Sequence, residues 1–228
     1  MKVSYATPNY YNKQFTLLTS KQLAIDYSII RKKIGFKSSV YYKQEKGKQA
    51  FDYFTSVDKV KTFGVETYLK YLLTDQLKFT ISNSFINQKQ QEGNKEFNGK
   101  YDFNYLTKVA LQYITLKWGS ISLSYITHPG SYYTPIKEII TKPGFKYQIP
   151  LLSEIINSQQ LENYNKIDLG YSRYTPLNND GAIIPFLSIT NIFNINNQSG
   201  IYYNKDFSKK FYDSYGKRTI YFGVIWEL

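Results

Sequence analysis

The single histidine of the chain, His128, lies close in sequence to Ser122 and Ser124, and an imidazole beside a hydroxyl is the minimum for nucleophilic catalysis. On an extended strand the three would share a face, because successive side chains alternate. No acid is spaced to orient the imidazole, however, and Pro129-Gly130 directly after it mark a strand end, where a histidine serves as a loop or interface residue. Asp26, Glu66 and Asp168 stand singly without metal-ligand spacing, and the chain has no cysteine. The expectation is no catalytic residue, no metal and no cofactor. What remains for recognition is aromatic: Tyr132, Tyr133, Tyr202 and Tyr203, in two adjacent pairs, offer area and a hydrogen-bonding tip at little entropic cost.

The elements that must position these residues are strands. Among 228 residues there are 24 Tyr, 15 Phe and 2 Trp, and hydrophobic residues make up 42%, yet mean hydropathy is −0.44. No run approaches the roughly 18 apolar residues of a membrane helix. A transmembrane barrel escapes hydropathy because only alternate residues meet lipid, so many aromatics with a negative mean fit that class. The formal charge of +12 invites a nucleic-acid reading. But only three of the 29 basic residues (Arg31, Arg173, Arg218) are arginine, and the lysines are scattered through turns and loops and do not line one face. Nucleic acid is therefore not expected as a partner.

The last residues show the strand pattern most plainly. Ile220, Phe222, Val224, Trp226 and Leu228 alternate with Thr219, Tyr221, Gly223, Ile225 and Glu227, one face apolar and the other mixed, as in a strand between lipid and a polar lumen. The same period recurs upstream. Leu23, Ile25, Tyr27 and Ile29 precede Arg31-Lys32-Lys33, and Phe36, Val40 and Tyr42 follow it. Phe63, Val65, Leu69 and Tyr71 lead through Thr74-Asp75-Gln76 to Leu77, Phe79, Ile81 and Phe85. Val109, Leu111 and Tyr113 lead through Lys117-Trp118-Gly119 to Ile121, Leu123 and Tyr125. Ile167, Leu169 and Tyr171 lead through Asn178-Asn179-Asp180-Gly181 to a strand from Ile183 to Phe193. With a further strand over residues 2 to 8, this makes about ten.

Between these hairpins lie long polar stretches near 45 to 59, 89 to 104, 129 to 163 and 194 to 217. Long loops are uncommon in compact soluble domains, whereas outer-membrane barrels combine short periplasmic turns with long extracellular loops. The fold expected is all-β, an antiparallel up-and-down transmembrane β-barrel segment of about ten strands. Trp118 and Trp226 then fall at one interface, as girdle residues do. Tyrosines near strand ends can serve the same girdle, so the four tyrosines fit either role.

Several segments resemble TonB-dependent outer-membrane receptors. Tyr164-Asn165-Lys166-Ile167-Asp168-Leu169 looks like the start of one of that family's strands, and Ser188-Ile189-Thr190-Asn191-Ile192-Phe193-Asn194 is similar to a strand end. Gly216-Lys217-Arg218-Thr219-Ile220-Tyr221-Phe222-Gly223 resembles the closing strand. Gly64-Val65-Glu66 with Leu77, and His128-Pro129-Gly130-Ser131-Tyr132-Tyr133-Thr134-Pro135, fit the same rhythm. The order and spacing of the motifs extend over nearly the whole chain.

This resemblance implies that residues 1–228 are the C-terminal portion of the receptor barrel, with the plug domain and signal peptide absent. It implies energised, gated import of a scarce ligand (an iron chelate, cobalamin, sugar or peptide) in the bacterial outer membrane. The implied partners are outer-membrane lipid, the TonB system acting through the plug, and the barrel-assembly machinery, for which the C-terminal strand is the signal. Leu228 stands where that class usually ends in an aromatic residue. Tyr132, Tyr133, Tyr202 and Tyr203 are the ligand contacts expected. The alternatives are an autonomous ten-stranded outer-membrane barrel, adhesin or hydrolase, and a soluble β protein that binds polysaccharide or nucleic acid.

Overall fold

A computed structural model describes residues 4–5, 17–50, 56–141, 148–177 and 181–227. Nine long strands dominate it: β1 (Leu17–Ile30), β2 (Ile34–Ala50), β3 (Ser56–Leu72), β4 (Leu77–Glu92), β5 (Tyr105–Thr115), β6 (Gly119–His128), β7 (Tyr164–Ser172), β8 (Ala182–Thr190) and β9 (Thr219–Glu227). Each pairs antiparallel with the next, so order in the sheet is order in the chain. Such a meander needs only local hairpins. Ser4–Tyr5 adds a short pairing outside β1. Among the described residues no pairing joins β1 to β9, and the fold seen is a long meander sheet.

All the tight turns fall at one end of this sheet, and local chemistry accounts for them. At Arg31–Lys33 the Arg31 amide donates to the Ile34 carbonyl at 2.7 Å. In the next turn Thr74 Oγ1 accepts from the amides of Gln76 and Leu77, the hydroxyl standing in for a backbone acceptor. After Leu116–Trp118, Gly119 takes φ +83°, which closes a short hairpin at little steric cost. Leu177 donates to the Gly181 carbonyl across the fourth turn. Its tip, Asn178 to Asp180, lies outside the described residues, as do Leu228 and most of the segment from 2 to 8.

The strands run further than the alternation suggests. The stretch from 45 to 59 is largely ladder, since β2 extends to Ala50 and β3 begins at Ser56. Similarly, β4 reaches Glu92 and turns into Lys95–Asn98, which pairs back on it. Apart from Val57 and Phe97, these segments are polar on both faces and so give no apolar period, yet cross-strand hydrogen bonds continue through them. The connection from 129 to 163 is also built: Ile136–Thr141 pairs with Gln148–Leu152, and Tyr132–Tyr133 with Gln159–Gln160. In the last connection Gln198–Tyr203 pairs with Lys210–Ser214. β8 ends at Thr190, three residues short of Phe193, because Asn191 enters the left-handed region at φ +53°.

The only buried apolar cluster among the described residues is small. Val57, Val60 and Phe97 are buried together, with Ile156 against them. It lies at the long-connection end, where the connection after β6 reaches back to the ladder beyond β4. Most large apolar side chains are exposed instead. Two cross-strand pairs on the other face need glycine: a Cβ at Gly64 would land in the ring of Tyr41, and one at Gly223 would meet the Phe186 ring at 2.8 Å.

Candidate functional site

Strand register assembles apolar residues, most of them exposed and the rest half-buried, into rows. Ile25, Val40, Val65 and Phe85 are successive partners across β1 to β4, and Leu23, Tyr42 and Phe63 form the adjacent row. Farther along, Leu111, Leu123, Leu169, Ile189 and Ile220 run from β5 to β9. The row Tyr113, Ile121, Tyr171, Leu187 and Phe222 flanks it. Because cross-strand partners share a face, all these rows lie on one side of the sheet. Leu23 is 70% exposed and Phe222 84%. One row of this face is polar: Ser38, Thr67, Asn83 and Thr107, in which Thr107 donates to Asn83 Oδ1 at 2.8 Å.

The opposite face is more polar, although Tyr41, Tyr68, Tyr221 and Ile225 also lie on it. Tyr68, Ser82, Lys108 and Lys166 line a groove of about 420 Å³ with Ser124 and Asp168, and Lys166 pairs with Asp168 at 2.9 Å. Asp168 Oδ1 also accepts from the Asn191 amide, which ties the end of β8 to β7. Asp26 and Glu66 lie on this face, and Tyr41 donates to Glu66 at 3.5 Å.

In β9, Ile220, Phe222, Val224 and Trp226 pair with Ile189, Leu187, Pro185 and Ile183 and share the apolar face. Tyr221 and Ile225 take the other. Trp118, in a tight turn, and Trp226, near the far end of β9, occupy the same end of the sheet, and Lys117 Nζ lies 5.2 Å from the Trp118 ring.

At the opposite end the tyrosines separate into distinct settings. Tyr133 donates to Gln159 Oε1 at 2.6 Å and accepts from Lys210 Nζ at 3.2 Å. That ammonium also lies 5.5 Å from the Tyr133 ring and 5.2 Å from Tyr212, and hydrogen bonds to Tyr212 and Tyr133 hold its pKa above the ordinary lysine value. Lys210 is the register partner of Tyr203, so Tyr133 and the ribbon that carries Tyr203 are joined through one cation. Tyr202 points away and stacks on Phe211 at 5.3 Å; Tyr203 packs against Phe207. Tyr132 sits apart, its hydroxyl pKa raised by burial and by the charge of Asp102. Asp102 is itself buried, with its carboxyl held above the usual range by burial although it accepts from the Gln88 amide at 3.1 Å.

His128 belongs to an aromatic line on the polar face. Its ring lies 4.4 Å from Phe103 and stacks on Tyr164 at 4.7 Å, and Tyr164 meets Tyr215 edge-on. Nδ1–H donates to the Pro129 carbonyl at 2.7 Å, and Ser122 Oγ donates to the Gly170 carbonyl at 3.5 Å. Among the described residues no group of three His, Asp or Glu could hold a metal. Tyr133, Tyr212, Gln159 and Lys210 thus bring two aromatic rings, an amide oxygen and one shared cation together.

Lys210, Tyr212 and Gln159 were not expected as site residues. The alternation Lys210-Phe211-Tyr212 does contain a signal, because a strand there puts the cation and the second tyrosine on one side. Nothing local in the sequence pairs them with Tyr133. No protein-family model matches the chain, and a comparison with curated proteins found no match.

Proposed function

We propose that this chain forms part of the wall of an outer-membrane β-barrel, with its apolar rows against lipid and its polar face toward a lumen. The carrying observation is the register: apolar side chains, exposed on seven of the nine strands and half-buried on β7 and β8, line up in continuous rows on one face. A water-soluble sheet would leave that face costly at about 25 cal/mol per Å², whereas lipid removes the cost. The strand lengths of β5 to β9 also suit a tilted span, which takes about 9 to 11 residues. In hydrocarbon an unpaired strand edge costs several kcal/mol per group, so the outer edges of β1 and β9 are places for further strands of the same wall.

The long connections then face outward as a ligand-gathering surface centred on Tyr133, Lys210 and Tyr212. In the import reading the ligand is captured there and moved through the barrel by energy delivered through TonB, the barrel having been inserted by the assembly machinery that reads β9. An autonomous adhesin or hydrolase barrel is the competing reading; it requires β1 to pair with β9.

The test is tryptophan quenching. The full chain, refolded into phosphatidylcholine vesicles, is titrated with lipids brominated at successive acyl depths. Trp118 and Trp226 are expected to be quenched most by shallow bromines, at a single depth. Emission unchanged at every depth would sink the membrane reading, and a disulfide forming between cysteines placed in β1 and β9 would replace the open wall by the autonomous barrel.

A further inference from the structure

The apolar rows of β1 to β4 stop abruptly at lysine. Directly beyond Leu23, Tyr42 and Phe63, on the same face, the next row reads Lys21, Gln44, Lys61 and Lys89; the one after it reads Thr19, Lys46, Lys59 and Gln91. Lys61 is directly opposite Lys89, and Lys46 directly opposite Lys59. Like charges in such positions repel and destabilise a sheet. Among the described residues none of the five lysines makes an ion pair: those formed are Lys43–Glu45, Lys137–Glu154 and Lys166–Asp168, and Lys43 and Glu45 project from the opposite face. Lys89 Nζ donates to a neutral acceptor, Asn98 Oδ1, at 2.6 Å. The nearest acid in these rows, Glu96, lies at the border in register with Gln91.

Two cross-strand cation pairs that have no counter-charge among the described residues, at the edge of an apolar face, are complementary to one thing available at a membrane boundary. We propose that this patch binds phosphate-bearing lipid headgroups in the leaflet at the long-connection end. Lysine stems lie along apolar surface while the ammonium stays at headgroup level, and Lys59, Lys61 and Lys89 are half-buried. A phosphate between Lys61 and Lys89 converts a repulsive pair into two attractive ones. The proposal rests on the membrane reading above.

The full chain and two variants are refolded into vesicles of phosphatidylcholine alone or mixed with phosphatidic acid, and the lipids retained on extraction are quantified. One variant, K46Q/K59Q/K61Q/K89Q, removes both cross-strand cation pairs of the patch. The other, K37Q/K70Q/K78Q/K108Q, removes equal charge from the polar face. Each lysine near an anionic surface contributes about a fivefold preference, so the patch variant is expected to lose its enrichment in phosphatidic acid while the polar-face variant keeps it. Removing like-charge pairs does not threaten the sheet, and quenching by brominated lipid reports insertion of all three proteins separately. Equal loss in both variants, or enrichment unchanged in the patch variant, overturns the headgroup site while leaving the wall intact. Absence of quenching in every protein overturns both. Inorganic phosphate that displaces the retained lipid at millimolar level would show that the patch takes the free anion and would overturn the lipid assignment.

Discussion

The two halves of the sheet continue beyond their apolar rows by different means. In β1 to β4, of 14 to 17 residues, the ladder itself continues past the apolar rows and carries lysine, glutamine and threonine upward. In β5 to β9, of 9 to 11 residues, the strands stop where the apolar rows stop, and separately folded connections build the rest. The first solution satisfies backbone groups largely by pairing, with Asp102 and Asp58 accepting from the amides of Gln88 and Gly93 where it ends. The second needs side chains. Asn197 exchanges hydrogen bonds with both the amide and the carbonyl of Asn165, at 2.8 Å each, and so extends β7 as a strand residue would. Asn191 grips Ile195 in the same two-sided way. Chain that is only a ladder can be polar on both faces; chain that folds into a connection must name its hydrogen-bond partners one by one.

This contrast is open to three measurements. The largest effect concerns what the halves share, the apolar span. Val65→Arg in β3 and Val224→Arg in β9 place charge among the apolar rows and are expected to cost about 2 to 4 kcal/mol each in bilayer refolding. Gln44→Arg, beside the lysines, and Ile225→Arg, on the polar face, should cost far less. Equal penalties within either pair would break the facing assignment in that half.

The next effect concerns only the C-terminal half. Asn191→Ala removes both side-chain hydrogen bonds of a residue that is 1% exposed, and its left-handed φ is less tolerable to alanine. A loss of about 1 to 3 kcal/mol, seen as faster proteolysis between β8 and β9, is expected, whereas Gln44→Ala in the ladder of β2 should leave the cleavage pattern unaltered. Uniform sensitivity would show that both halves depend on side-chain bonds alike.

The smallest effect is a pH dependence at the join between the halves. Burial raises the Asp102 carboxyl above its ordinary value in the folded chain. Its contribution to stability is therefore full below the unfolded carboxylate range and is lost as pH rises through the raised folded value. Docking of the connection between β4 and β5, followed by hydrogen exchange of the Gln88 amide, should weaken over that window. Asp102→Asn keeps the acceptor for Gln88 and should remove the dependence; a slope that persists in it would assign the titration to another group.

How much was legible follows from the same contrast. Alternation at Leu23 to Ile29, Phe63 to Tyr71 and Thr219 to Glu227 located strands because each had one apolar face, and the alternation of turn and long stretch set the order of hairpins. The polar extensions to Ala50 and Glu92 were invisible because period two cannot be read where both faces are polar. Tyr133 and Tyr203 were chosen for their chemistry, but Lys210, which links Tyr133 to the ribbon carrying Tyr203, lies 77 positions from Tyr133, a separation no local pattern spans.

The sequence by itself determined the strand class, the hairpin order and which residues of β9 share a face, since these depend on a side-chain period of two and on turn chemistry within a few residues. Only the tertiary structure decided the register. Register sets Lys61 opposite Lys89 and Lys46 opposite Lys59, aligns the apolar residues of nine strands into rows, and gives Asn197 to Asn165. Each of these is a hydrogen-bonded relation between segments distant in the chain, and one residue of slippage would reverse every face.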